Sequence, residues 1–114
     1  MKRFVPITSD LSLIREKHRV LVQYLRLRPG NSLSCSAALS KQDLVRAREA
    51  ARQPLTDGKE QVFETELAQL TWTRNEAGIS LRFLDRGRTL ADLELRGQEE
   101  RRWIEGLTEL TPGT

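Results

Sequence analysis

The chain has 114 residues, 38% of them hydrophobic and 31% charged, with a formal net charge of +3, which is room for one domain, residues 1–114, burying about 60 to 70% of its unfolded surface. One cysteine excludes an internal disulfide and every thiolate zinc pattern, and one histidine excludes a multi-histidine metal cluster. No apolar run approaches the roughly eighteen residues of a membrane span and no signal-peptide core opens the chain, so a cytoplasmic protein without a membrane span is expected.

Residues 3 to 8 suit a short strand, with Pro6 placing it at a sheet edge. Over residues 10–28 two patterns compete. Ser9 or Asp10 is placed to cap a helix carrying Leu11, Ile14, Leu21 and Leu25 on one stripe, whereas Val20, Val22 and Tyr24 favour a strand. Helix, strand or both remain open there, with a division near His18. Pro29-Gly30-Asn31 is a turn signal between alternating stretches and predicts a hairpin over 19–28 and 32–39. A three-residue loop sets Leu27 against Leu33, Leu25 against Cys35 and Leu21 against Leu39. Cys35 then faces inward as a buried thiol, while Tyr24, Arg26 and Arg28 face outward beside Ser32, Ser34 and Ser36.

A helix follows at about 40–53. Ser40 and Asp43 form a capping box with Asp in place of Glu, Leu44, Ala47 and Ala51 make its buried side, and Pro54 stops it. Thr56-Asp57-Gly58-Lys59 reads as the connecting loop.

The next stretch alternates strictly. Ala68, Leu70 and Trp72, then Ile79, Leu81 and Phe83, then Ala91, Leu93 and Leu95 are separated by polar residues, which predicts a meander over 67–73, 79–84 and 89–96. A one-residue slip would turn each apolar row to water, so the register follows: Trp72 opposite Leu81, Leu70 opposite Phe83, and Phe83, Leu81 and Ile79 opposite Ala91, Leu93 and Leu95. The same register brings Arg82 opposite Asp92 on the outer face, a cross-strand pair contributing about 0.2 to 1 kcal/mol. After Gly97 the period becomes helical. Trp103, Ile104, Leu107 and Leu110 define an amphipathic helix at about 98–110 with Glu99 and Glu100 in its first turn, and Pro112-Gly113 ends it. A helix this short is marginal alone, so it must dock on the strands, with Trp103 in the core. The fold class expected is α+β: one antiparallel sheet of five or six strands packed by two helices; the passes 19–53 and 62–110 share a sheet-then-helix plan, but no internal repeat is convincing enough to use.

Catalytic patterns are missing. His18 lies in a charged, solvated stretch, and the carboxylate pairs Glu64/Glu66, Asp92/Glu94 and Glu99/Glu100 fall on exposed strand faces or at a helix start, where solvation and the helix dipole account for them. Phosphate-binding glycine fingerprints are absent. The sequence therefore reads as a non-enzymatic binding module without metal or cofactor.

Charge is uneven. Residues 1–58 hold eleven Lys and Arg against five Asp and Glu, hence +6, and residues 59–114 hold eight against eleven, hence −3. A basic strip with hydroxyls and an aromatic ring suits phosphate and base contacts, so Tyr24, Arg26, Arg28, Arg46, Arg48 and Arg52 are the candidate nucleic-acid-binding residues, single-stranded DNA among the targets. The outer face of the meander carries Thr71, Ser80, Arg82, Leu84, Asp92 and Glu94 and no aromatic ring, which makes it no stacking platform. The alternative is a homodimeric adaptor or chaperone-like protein that uses the acidic half and an apolar patch at Leu84 and Leu90.

Overall fold

A computed structural model describes residues 3–52 and 59–110. The protein is α+β, built from two four-stranded antiparallel sheets and two helices. The first sheet is a meander of β1 (Phe4–Pro6), β2 (Leu11–Arg15), β3 (Arg19–Arg26) and β4 (Leu33–Ser40), followed by α1 (Lys41–Arg52). The second repeats the plan with β5 (Gln61–Glu64), β6 (Gln69–Asn75), β7 (Gly78–Asp85) and β8 (Arg88–Leu95), followed by α2 (Gln98–Glu109). Each half is thus four strands and a helix. The expected single sheet of five or six strands is corrected. Short strands join the predicted ones on each side of α1, β2 between the expected edge strand β1 and the N-terminal hairpin, and β5 beside the meander, and each group forms its own sheet.

The 10–28 segment is strand on both sides of a bend. Leu11 and Leu13 are fully buried in β2, so the alternation wins over the helical stripe, and the chain turns at Lys17-His18 where the Glu16 N–H donates to the Arg19 carbonyl at 2.8 Å. Pro6 ends the edge strand β1, where its missing N–H breaks no ladder.

The N-terminal hairpin is offset by one residue from the register expected. Tyr24 pairs with Cys35, Leu25 with Ser34 and Val20 with Leu39. A shift of one exchanges the faces, so Val20, Val22 and Tyr24 point into the core, and Leu25 and Leu27 are 40% and 71% exposed. Cys35 faces inward as expected. The turn itself forms at Arg28–Asn31, with the Asn31 N–H donating to the Arg28 carbonyl at 3.0 Å.

The meander has the register expected, from Leu70↔Phe83 and Trp72↔Leu81 to Ile79↔Leu95, and Arg82 lies 3.2 Å from Asp92. Its second turn, where a three-residue loop over Arg86-Gly87-Arg88 would give that register, is two residues long instead: Asp85 pairs with Arg88, and an irregularity between Phe83 and Leu84 leaves Leu90 as the extra residue that restores the apolar register. In α1 the capping box closes, Ser40 Oγ accepting the Asp43 N–H at 3.2 Å and Asp43 Oδ2 accepting the Ser40 N–H at 3.4 Å, and Leu44, Ala47 and Ala51 are buried. The predicted helix stop and loop at 53–58 and the Pro112-Gly113 stop lie outside the described residues.

The core joins both halves. Tyr24 of the first sheet and Phe83 of the second have ring centres 6.4 Å apart, and Trp103 of α2 meets Trp72 edge to face at 6.0 Å. Further along α2, Gly106 is buried against the first sheet, so close that an added methyl carbon would lie 2.8 Å from Leu13 Cδ1 and 3.2 Å from Val5 Cγ1. The second helix therefore packs on both sheets. Arg74 of β6 reaches the other helix: its Nη1 donates to the Ala51 carbonyl at 2.7 Å, and its Nε lies 3.6 Å from Glu100 in the first turn of α2. One guanidinium satisfies a C-terminal carbonyl of α1 and faces an acid at the N-terminus of α2, the sign each helix dipole favours. At the edge of β4, the Ala38 N–H donates to Thr65 Oγ1 at 3.1 Å.

Candidate nucleic-acid interface

The structure does not gather the six predicted residues on one strip. Tyr24 is 6% exposed and lies in the core against Phe83, so its ring offers no stacking surface, a direct result of the one-residue register shift. Arg26 follows on the same inward row and is half-buried at the end of β3, opposite Leu33. Arg46 is engaged within the protein: its Nη2 donates to the Val62 carbonyl at 2.9 Å and lies 3.6 Å from Asp43, and its guanidinium carbon sits 4.4 Å from the centre of the Phe63 ring. That arrangement clamps α1 to β5.

Arg28, Arg48 and Arg52 fit the expectation better. Arg28 is exposed in the hairpin turn and Arg52 in the last turn of α1. Arg48, half-buried, precedes Arg52 by four residues and follows Lys41 by seven, so helical periodicity lines the three cations on one stripe of α1 with Val45. The rise from Arg48 to Arg52 is about 6 Å along the axis. Elsewhere in the basic half, Arg19 holds Glu16 at 2.6 Å and approaches Glu66 at 3.6 Å, and the Glu16 carboxylate pushes the Arg19 pKa above its ordinary value.

The segregation of charge follows the architecture. Residues 3–52, the first four-strand-and-helix unit, hold ten Lys and Arg against four Asp and Glu, hence +6, while residues 59–110 hold eight against eleven, hence −3. Two of the four acids in the first unit, Glu16 and Asp43, already pair with Arg19 and Arg46.

Leu84 and Leu90 are both half-buried and do not form an exposed patch; Leu90, the bulge residue, packs against the core. Among the described residues the exposed large apolar groups are Val45 on α1, Val62 on β5, Leu67 after it, and a group of three at the first sheet. Phe4 is 55% exposed, and with Leu25 and Leu27 it lines an open groove of about 410 Å³ whose polar members include Asp10, Ser12 and Gln23. The sequence reading missed this groove because the hairpin register put Leu25 and Leu27 inside. The available signal was that both faces of β3 carry large apolar side chains, which forces one set toward solvent.

Cys35 is buried, and burial pushes its thiol pKa up. Among the described residues no group of three or more His, Cys, Asp and Glu side chains is placed to hold a metal ion, and no helix is long and apolar enough to cross a membrane. No family model, no curated protein and no solved structure matches this chain.

Proposed function

We propose that the protein is a non-enzymatic nucleic-acid-binding module whose first unit carries the phosphate contacts. The observation that supports this reading is the +6 charge confined to one structural unit, with acids too few to neutralise it. Arg28 in the hairpin turn and Arg48 and Arg52 on α1 are the principal phosphate ligands, Lys41 extends their stripe, and Arg26 is a flanking contact. Tyr24 and Arg46 leave the set because the core and β5 occupy them. Such a surface binds with little sequence preference and an affinity that falls steeply with salt.

Filter binding or fluorescence anisotropy with single- and double-stranded oligonucleotides across a salt series tests the proposal. Each phosphate neutralised contributes about 0.7 to 0.9 to the slope of log affinity against log salt. Replacing Arg28, Arg48 and Arg52 together with alanine should therefore reduce that slope by roughly 2 to 3. Absence of binding at low salt for every oligonucleotide refutes it.

A homodimeric adaptor is the second reading, supported by the juxtaposition of a +6 and a −3 unit in one chain, which suits head-to-tail contact. It predicts an oligomer that grows with concentration and dissolves with salt, read by light scattering. A monomer at every concentration counts against it.

A further inference from the structure

We propose that the nucleic acid is double-stranded and lies along α1 with its backbone against the cations there, an inference that rests on the nucleic-acid reading above. Of the three Phe, two Trp and one Tyr in the chain only Phe4 is exposed; Tyr24, Phe63, Trp72, Phe83 and Trp103 are buried. Phe4 alternates with Val5, which packs on the core beside Gly106, so its ring lies on the face of the first sheet turned away from the core, whereas α1 packs into the core through Leu44, Ala47 and Ala51. His18, the other exposed ring, stands in the bend between β2 and β3. The helix that carries the cations therefore carries no ring. Single-strand binding without sequence preference draws much of its strength from bases stacked on rings. A duplex keeps its bases stacked on one another and presents phosphates, which need only cations.

The helix is also held rigidly, which suits a rigid partner. The Ser40/Asp43 exchange closes its first turn, the Ala51 carbonyl accepts from Arg74 at 2.7 Å, and Arg46 ties its middle to the Val62 carbonyl at 2.9 Å. From Lys41 to Arg52 the row rises about 16 Å, and one strand of a duplex sets a phosphate every ~3.4 Å of axis, so roughly five phosphates pass along it. Duplex DNA is stiff over about 150 base pairs, so it meets this fixed row without first losing freedom, whereas a flexible single strand has to be ordered along it. An anionic lipid surface is the competing polyanion, and α1 lacks the means to enter one: Leu44, Ala47 and Ala51 face the core, which leaves Val45 as the exposed large apolar group of the helix. Glu49, exposed on the same helix next to Arg48, repels phosphate and limits the affinity.

Anisotropy with the full chain tests this, using a mixed-sequence duplex and one of its own strands across a salt series. Four phosphate contacts that each contribute about 0.9 to the salt slope on a duplex and about 0.7 on a single strand give the duplex a roughly tenfold advantage at about 50 mM salt. Replacing Lys41 and Arg52 together with alanine should lower the duplex slope by about 2, and Glu49→Gln should tighten duplex binding about 1.5- to fivefold. Phe4→Ala and His18→Ala should leave duplex binding unchanged. Lys41, Glu49 and Arg52 are exposed, so their variants should keep the fold, which a circular dichroism melt checks. A single strand that binds as tightly as the duplex, or that selectively loses affinity with Phe4→Ala or His18→Ala, overturns the duplex assignment and leaves the phosphate contacts standing. An unchanged slope in the Lys41 and Arg52 double variant takes the strand off α1 and overturns it as well. If neither oligonucleotide binds at low salt, both readings fail, and vesicles of mixed phosphatidylcholine and phosphatidylserine that bind where the oligonucleotides do not give the charge to a lipid surface.

Discussion

Replacing Gly78 with alanine should cost far more than the same change at a turn glycine. Gly78 begins β7 at φ 140°, and a methyl carbon there would lie 2.2 Å from the Leu95 carbonyl oxygen at the end of β8. That oxygen belongs to the backbone of the strand paired through Ile79↔Leu95, so it yields only if the ladder moves. Backbone strain of about 1 to 3 kcal/mol adds to a steric term of about 1 to 3 kcal/mol. The total, about 2 to 6 kcal/mol, corresponds to a fall in Tm of roughly 8 to 24 °C in a domain of this size. Gly30 is the control. It too has positive φ, 76°, but an added methyl carbon meets nothing within 4 Å, so Gly30→Ala should cost only about 1 kcal/mol. Thermal melts followed by circular dichroism, with urea titrations to check that the m-value is unchanged, measure both. Equal losses for the two variants would refute the argument that β8 passes against Gly78.

Trp103 is fully buried against Trp72, so Trp103→Ala should destabilise by about 3 to 5 kcal/mol, seen as a lower urea midpoint and loss of near-ultraviolet dichroism. Arg74→Ala removes the hydrogen bond to the Ala51 carbonyl and the contact with Glu100, and should cost about 1 to 3 kcal/mol by urea titration. Burial raises the Cys35 pKa, so its stabilising contribution is complete below the ordinary thiol range near about 8.5 and declines as pH rises from there. Wild type should therefore lose more stability than Cys35→Ala between neutral and alkaline pH, and native Cys35 should react with a disulfide reagent far more slowly than the urea-unfolded chain.

The second half was legible from sequence because its three rows constrain one another. Only one pairing matches Trp72, Leu81 and Leu93 together and also sets Arg82 against Asp92, and the structure has that pairing. The first helix was legible because the Ser40/Asp43 exchange is local chemistry. The N-terminal hairpin lacked such closure. Leu21, Leu25 and Leu27 match Leu33, Cys35 and Leu39 in hydrophobicity as well as Val20, Val22 and Tyr24 do, so alternation alone does not choose a face. Packing chose the β-branched and aromatic set, which fills a pleated interior, and left Leu25 and Leu27 to solvent. That choice moved the candidate site. It buried Tyr24, turned Arg26 inward and created the groove at Phe4. The division into two sheets was hidden for a different reason: β5, four residues long, is too short for alternation to register, and β2 lies where helix and strand patterns compete.

The helix positions make the two halves hostages of each other. Gly106 of the second helix rests on Leu13 and Val5 of the first sheet, and Arg46 of the first helix grips the Val62 carbonyl of the second. Each half thus keeps its lid on its neighbour's floor, and neither retains a closed interior if the other melts. Loss of order in one half should therefore reach the other, so that circular dichroism and tryptophan fluorescence follow one shared urea transition, and a lesion far from the groove should still reshape the surface that surrounds it.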